Sequence, residues 1–192
     1  MRQVEKRSAL KKTLFFICIM LFLQQTAWPQ LISDSLYKVL KSATGENRVD
    51  VLNQISKIYE YRNPDSSLYY ATGAETLASE LDYKTGKALA IKNKGNYYVR
   101  TGNYTKAILE YDLAIDLYRS ENDKEGLQTV INNKGNAYRV SGDYDQALYN
   151  FLESLKICEE EGFRQGIAYA SLNIGIIYAT RQGEKESNGQ PG

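Results

Sequence analysis

The chain has 192 residues, 43% hydrophobic and 24% charged, which is enough apolar content for the core of one ordinary domain and unlike a disordered or collagen-like chain. Its 24 basic residues nearly balance 23 acidic ones, so a formal net charge of +1 supplies no overall field for nucleic acid or an acidic membrane. With no histidine present, Ser-His-Asp and Cys-His catalysis, the usual zinc sites and a phosphate-accepting histidine are excluded.

At the N-terminus Arg2, Lys6, Arg7, Lys11 and Lys12 precede an unbroken apolar run from Leu14 to Leu23, and Gln24 to Ala27 return the chain to polarity. This is the layout of a secretory signal peptide over residues 1–30, with processing between Ala27 and Gln30. A membrane-spanning helix needs roughly 20 apolar residues, about twice this run. Export, to the periplasm, is therefore the expectation, and anchoring in the inner membrane by this segment is the weaker alternative. Cys18 lies inside the apolar run without the small residue that normally precedes a lipidated cysteine. Processing leaves Cys158 as the only thiol, so no internal disulfide or cysteine metal site is expected. Beside Leu155 and Ile157 it reads as a small core hydrophobe. Residues 31–45 read as a short N-terminal helix or linker.

A repeat begins at about residue 46. Asn93-Lys94-Gly95-Asn96 returns as Asn133-Lys134-Gly135-Asn136, forty positions on and identical at all four residues. In the same register Tyr98 answers Tyr138, Gly102 answers Gly142, Tyr104 answers Tyr144, Ala107 answers Ala147, Tyr111 answers Phe151 and Gly126 answers Gly166. Forty further stand Asn173, Gly175 and Tyr178, and forty back stand Asn53, Ala74 and Gly86, the last two in register with Ala114 and Gly126. Within a unit, apolar and small residues recur at three and four, as in Ala88, Ile91, Gly95 and Tyr98, then Tyr104, Ala107, Ile108, Tyr111, Ile115 and Tyr118. Each unit is thus two amphipathic helices of about 17 residues. Gly102-Asn103 and Gly142-Asp143 separate them, with glycine suited to a left-handed C-terminal residue and Asn103 or Asp143 to the next N-cap. Asp143 with Gln146 has capping-box spacing. In the first unit Asn63 is the cap and Pro64 the first helical residue.

The spacing G-x-x-Y-x-x-x-G-x-Y-x-x-A-x-x-x-Y, carried by Gly95, Tyr98, Gly102, Tyr104, Ala107 and Tyr111 and continued by Ala114, resembles the tetratricopeptide repeat (TPR). HEAT and armadillo repeats lack this register of glycine, tyrosine and alanine. The period is forty rather than thirty-four, and Arg119 and Glu159 stand where a proline often follows the second helix. This is similar to the longer TPR variety of kinesin light chain and many bacterial signalling proteins. The first unit is atypical, with Ile55 and Ser67 where glycine and alanine are expected. The resemblance implies an all-α fold, a right-handed α-solenoid of antiparallel helix pairs. In it Gly95, Gly135 and Gly175, with Ala107 and Ala147, are close helix crossings. Tyr98, Tyr138, Tyr178, Tyr111 and Phe151 fill the core beside them.

After Tyr178 the pattern fails, since Gln182, Glu184 and Ser187 occupy the places of the turn glycine, the tyrosine and the alanine. The array is expected to span residues 46–181, as three helix pairs plus one unpaired helix, followed by a disordered polar tail, 182–192. An uncovered apolar face of Leu172, Ile176 and Ile177 would result, which points to a truncated frame or a piece of a longer protein; service of the last helix as a cap is the alternative. No phosphate-binding loop or dinucleotide fingerprint is present, and Lys-Thr-Gly-Lys at 84–87 sits at a helix start. Glu159-Glu160-Glu161 reads as a solvated helix end rather than a metal cluster. No enzyme activity, cofactor, metal or small-molecule substrate is expected.

Function is expected in the concave groove, which in TPR proteins is lined by the first helix of each unit. By this resemblance Asn93, Asn133 and Asn173 form a ladder of amides, with Asn53 as a further member. Asn96 and Asn136 extend it, and Lys92, Arg100 and Arg139 supply charge for acidic ligand groups. An amide both donates and accepts, so it can pair with the backbone of an extended peptide. The bland alternative is that the asparagines bond neighbouring helices and the basic residues are solvated surface. The expected function is a non-catalytic protein- or peptide-binding scaffold. The runner-up is the sensory N-terminal region of a membrane-bound histidine kinase or nucleotide cyclase, and self-association through the last helix is a further expectation.

Overall fold

The computed structural model describes residues 35–187, with side chains described through residue 184. The expected signal segment and residues 188–192 lie outside the described residues. Residues 35–42 are helical (α1) and belong to a separate compact unit that ends at Ala43. From Thr44 onward the chain forms the array: α2 (Gly45–Tyr59), α3 (Pro64–Glu80), α4 (Lys84–Arg100), α5 (Tyr104–Ser120), α6 (Lys124–Ser141), α7 (Tyr144–Glu161) and α8 (Arg164–Ser187). No strand occurs among the described residues.

The short turns follow from their residue chemistry. The Asn63, Asn103 and Asp143 side chains accept the N–H of Ser66, Lys106 and Gln146 at 3.1, 3.2 and 3.0 Å, and Asp123 does the same for Gly126 at 2.8 Å. Gly102 and Gly142 take φ of 78° and 90°, the left-handed termination that a side chain resists. Asp82 and Asn122 hold the same conformation, φ 52°, between α3 and α4 and between α5 and α6. Only half of the expected capping box forms, because the Asp143 N–H donates to the Tyr138 carbonyl at 2.9 Å.

Helices pair as α2/α3, α4/α5 and α6/α7, and each second helix packs on the first helix of the next pair. The first helices α2, α4, α6 and α8 also touch in succession, whereas α3, α5 and α7 do not touch one another. The first helices therefore form the inner, concave layer of an α-solenoid, and the second helices fan outside it. The pair crossings are as tight as the glycines implied. A Cβ on Gly95 would lie 2.4 Å from the Tyr111 ring, and one on Gly135 would lie 2.8 Å from the Phe151 ring. Ala107 and Ala147 are wholly buried beside them, and Tyr98 and Tyr138 pack against the same clusters. Cys158 is buried, with its thiol on Gln128 Oε1 at 3.3 Å. The atypical first pair closes with Ile55 and Ser67 both buried, and the Ser56 hydroxyl donates to the Ser67 carbonyl at 2.9 Å.

The C-terminal end departs from expectation in three ways. No proline or capping turn interrupts α8, so it continues through residues 182–187, where a disordered tail was expected. Gly175 has no atom within 4 Å of its would-be Cβ, and Tyr178 is 58% exposed rather than core, because α8 has no second helix among the described residues. Ile177 is buried with Ala147 and Phe151, so the uncovered face consists of Tyr169, Leu172 and Ile176 instead, while Tyr178 is exposed on another side of the helix.

Candidate groove on the concave face

The repeated Asn-Lys-Gly-Asn tetrad divides its work by position. Asn93 is 3% exposed, and its Nδ2 donates to the carbonyl and Oδ1 of Asn53, both at 3.3 Å. Asn53, itself buried, donates to the Gly86 carbonyl at 3.0 Å. These two members of the expected ladder thus tie α2 to α4, and neither is presented to a ligand. Lys94 and Lys134 reach the outer layer: Lys94 pairs with Glu75 at 2.9 Å and Glu110 at 3.1 Å, and Lys134 with Asp112 at 2.6 Å. The glycines are the crossings already described. The last asparagine turns to the groove.

There, Asn96 is the hub of a network. Its Oδ1 accepts from the Tyr111 hydroxyl at 2.8 Å and from Asn133 Nδ2 at 3.2 Å, while its Nδ2 donates to Glu60 at 3.0 Å. Burial, with Glu60 and Tyr61 adding to it, pushes the Tyr111 hydroxyl far above its ordinary ionisation range, so it is a permanent donor to Asn96. Asn136 Oδ1 is held by Arg139 of the same helix, at 3.2 and 2.6 Å. The Arg100 guanidinium lies 3.5 Å from the centre of the Tyr61 ring. A cavity of about 350 Å³ opens among these groups, and Asn96, Arg100, Asn133 and Asn136 line it together with Glu60, Tyr61 and Tyr104. A second cavity of about 720 Å³ runs from Lys57 to the α6–α8 end, past Asn132, Asn133 and Tyr169.

Four of the eight expected groove residues therefore share one cavity. Asn173 joins neither cavity wall, donating instead to Asn132 Oδ1 at 3.1 Å. Arg139 acts through Asn136. Lys92 is half-buried, and its ammonium has no hydrogen-bond or ion-pair partner among the described residues. Burial, followed by the neighbouring Lys57 charge, lowers its ammonium to about 8, against the opposing pull of Glu60. Glu60 and Val140 went unnoticed in the sequence although both share the register of Arg100, forty residues to either side, and all three line the first cavity. The Glu159 to Glu161 run is exposed, and no metal-holding cluster of acids and cysteines occurs among the described residues.

No protein-family model and no curated protein matches the chain in sequence. Solved structures do match it in fold. Aspartyl phosphate phosphatase F from Bacillus subtilis is 16% identical with a TM-score of 0.71, over 80% of this chain and 40% of that one. A Rap protein complexed with competence and sporulation factor is 16% identical with a TM-score of 0.74, over 86% and 48%. The apo form of RapI is 14% identical with a TM-score of 0.67, over 84% and 46%. The chain spans less than half the length of each of these structures. At this identity the likeness is one of fold: an all-helical repeat solenoid.

Proposed function

We propose that the chain is a non-catalytic TPR scaffold of the long, forty-residue variety that works outside the cytoplasm and captures an extended segment of a protein or peptide in its concave groove. One observation carries this reading. Asn133 and Asn136 line the first cavity, and Asn133 Oδ1 and Asn136 Nδ2 have no partner among the described residues, although the other end of each amide is fixed. Three residues apart on α6, they offer one acceptor and one donor, the pair that a peptide unit requires. The similar Rap structure solved with competence and sporulation factor supports ligand capture by a stack of this kind. The basic and apolar layout of residues 2–23 supports export.

The test is a double substitution. Asn133→Ala with Asn136→Ala should keep native helicity while weakening capture of peptides selected from a random displayed pool by about ten-fold or more, the worth of two amide hydrogen bonds. Asn93→Ala should instead lower stability by about 1–3 kcal/mol, because it strips a buried donor from Asn53. Undiminished capture by the double variant would sink the groove assignment.

A second contact is supported by α8, whose Tyr169, Leu172 and Ile176 share one face and are 64%, 62% and 38% exposed. We expect the full chain to self-associate through this face. Sedimentation should show a dimer that Leu172→Glu with Ile176→Glu converts to monomer; a monomeric parent chain rules it out.

A further inference from the structure

Large apolar side chains stand on the outside of the array as well as within it. Tyr69 of α3, Leu109 of α5 and Tyr149 of α7 occupy one register, forty residues apart. Each follows by two positions a buried small residue of its own helix, Ser67, Ala107 or Ala147, and so faces about 200° away from the seam with the inner layer. They are 74%, 59% and 65% exposed. A single exposed leucine is ordinary, but here the repeat sets one apolar anchor on every outer helix, and exposed Leu113 and Leu152 widen the row. At Tyr69 the row meets a cavity of about 710 Å³, lined also by Leu52 of α2 and by Leu68, Tyr70 and Leu77 of α3. Gly73 forms part of its wall, and a Cβ there would meet no atom within 4 Å.

The same side is acidic. α3, α5 and α7 carry formal charges of −3, −1 and −4. Their three cations are already engaged: Lys106 lies 5.2 Å from the centre of the Tyr98 ring, Arg119 pairs with Glu153 at 3.1 Å and Lys156 with Glu160 at 3.9 Å. Glu80, Asp116 and Glu159 are exposed and have no ion pair among the described residues. Asp116 follows Leu113 by one turn on the same face. Asp65 and Glu80 line the cavity, in which Arg48 is the one cation among the described lining residues.

We propose that this convex face docks a cationic amphipathic helix of a partner protein. An apolar side chain of that helix sits in the cavity on the first pair, others lie along Tyr69, Leu109 and Tyr149, and its lysines or arginines meet the unpaired carboxylates. Charge decides the occupant. A second copy brought up by the same face carries the same excess of acid and is repelled, as is an anionic membrane. The inner layer plays no part, so this surface and the groove can be filled independently.

The full chain should be titrated by fluorescence anisotropy with a labelled helical peptide of leucine and lysine, about four turns long with leucine on one face. A counterpart with glutamate for each lysine is the control. The lysine peptide should bind and the glutamate peptide should not. Leu109→Ser with Tyr149→Ser should weaken binding roughly ten-fold, and so should Gly73→Gln, which narrows the cavity. These positions are on exposed helical faces, so helicity should not change. Asn133→Ala with Asn136→Ala should leave the affinity unchanged. No binding, equal binding of both peptides, or binding that survives either outer variant overturns the proposal. A loss caused by the groove variant overturns it too, because the peptide then lies on the concave side. A parent dimer dissolved by Leu109→Ser with Tyr149→Ser, or capture of phosphatidylglycerol vesicles in place of the peptide, names a different occupant with the same result.

Discussion

Gly135→Leu should disrupt the α6/α7 pair and cost about 3 kcal/mol, the upper end of the range for overpacking a well-filled crossing. The first added carbon would already stand 2.8 Å from Cδ1 and Cε1 of Phe151 and 3.2 Å from Asn150 Cβ. Phe151 is wholly buried against Ala147 and Ile177, so its ring cannot swing aside. The gain of about 1 kcal/mol in helix propensity from replacing glycine is too small to compensate. Gly175 is an internal control. It occupies the same register forty residues on, yet its Cβ would meet nothing within 4 Å. Gly175→Leu should therefore stabilise by up to about 1 kcal/mol through propensity alone. Urea midpoints of the two variants should move in opposite directions, and shifts of the same sign would contradict the packing account.

Lys92→Met should stabilise the array by about 1–2 kcal/mol at pH 7, a figure below the full shift because the amine retains some water. The pH dependence identifies the cause. In the folded chain Lys92 releases its proton near pH 8, while in the unfolded chain an ordinary lysine holds it until about 10.4. Between these values the unfolded state binds more protons, so stability should rise from pH 8 to about 10 in the parent chain. Above about pH 10 the sign reverses. Burial raises the hydroxyls of Tyr111 and Tyr118, so the unfolded chain ionises its tyrosines first and stability falls. Lys92→Met should lose the rise and keep the fall, as read from urea denaturation at each pH. A rise that survives the substitution would place its origin elsewhere.

The parts of the fold legible in the sequence are those fixed over short range or by strict repetition. Asn63, Asn103 and Asp143 cap because a side-chain oxygen meets an N–H three residues on, and Gly95 and Gly135 mark crossings because only hydrogen fits against Tyr111 and Phe151. Less legible was which repeat-equivalent residue does which job. Asn93 and Asn133 share a register, but Asn93 meets Asn53 on α2, whereas Asn133 meets Asn96 on α4 and stays at the cavity. The neighbour decides, and the neighbour differs from unit to unit. Tyr178 failed as a core residue for the same reason: its surroundings depend on a second helix that Tyr98 and Tyr138 possess. The formal charge of the layers, +8 over α2, α4, α6 and α8 against −8 over α3, α5 and α7, was hidden by summation, since a chain-wide total cannot report how charge alternates from one helix to the next.

The contact between successive first helices, unmatched among the second helices, gives the array the mechanics of a leaf spring. The inner seam is the line the leaves share, and the outer rods, which do not meet one another, are clamped only to the inner helices on either side. Flexing such a body changes the width of the concave channel while leaving the seam intact. Any such flexing must be taken up at the turns around Asp82, Gly102, Asn122, Gly142 and Gly162, each of which holds a residue at positive φ.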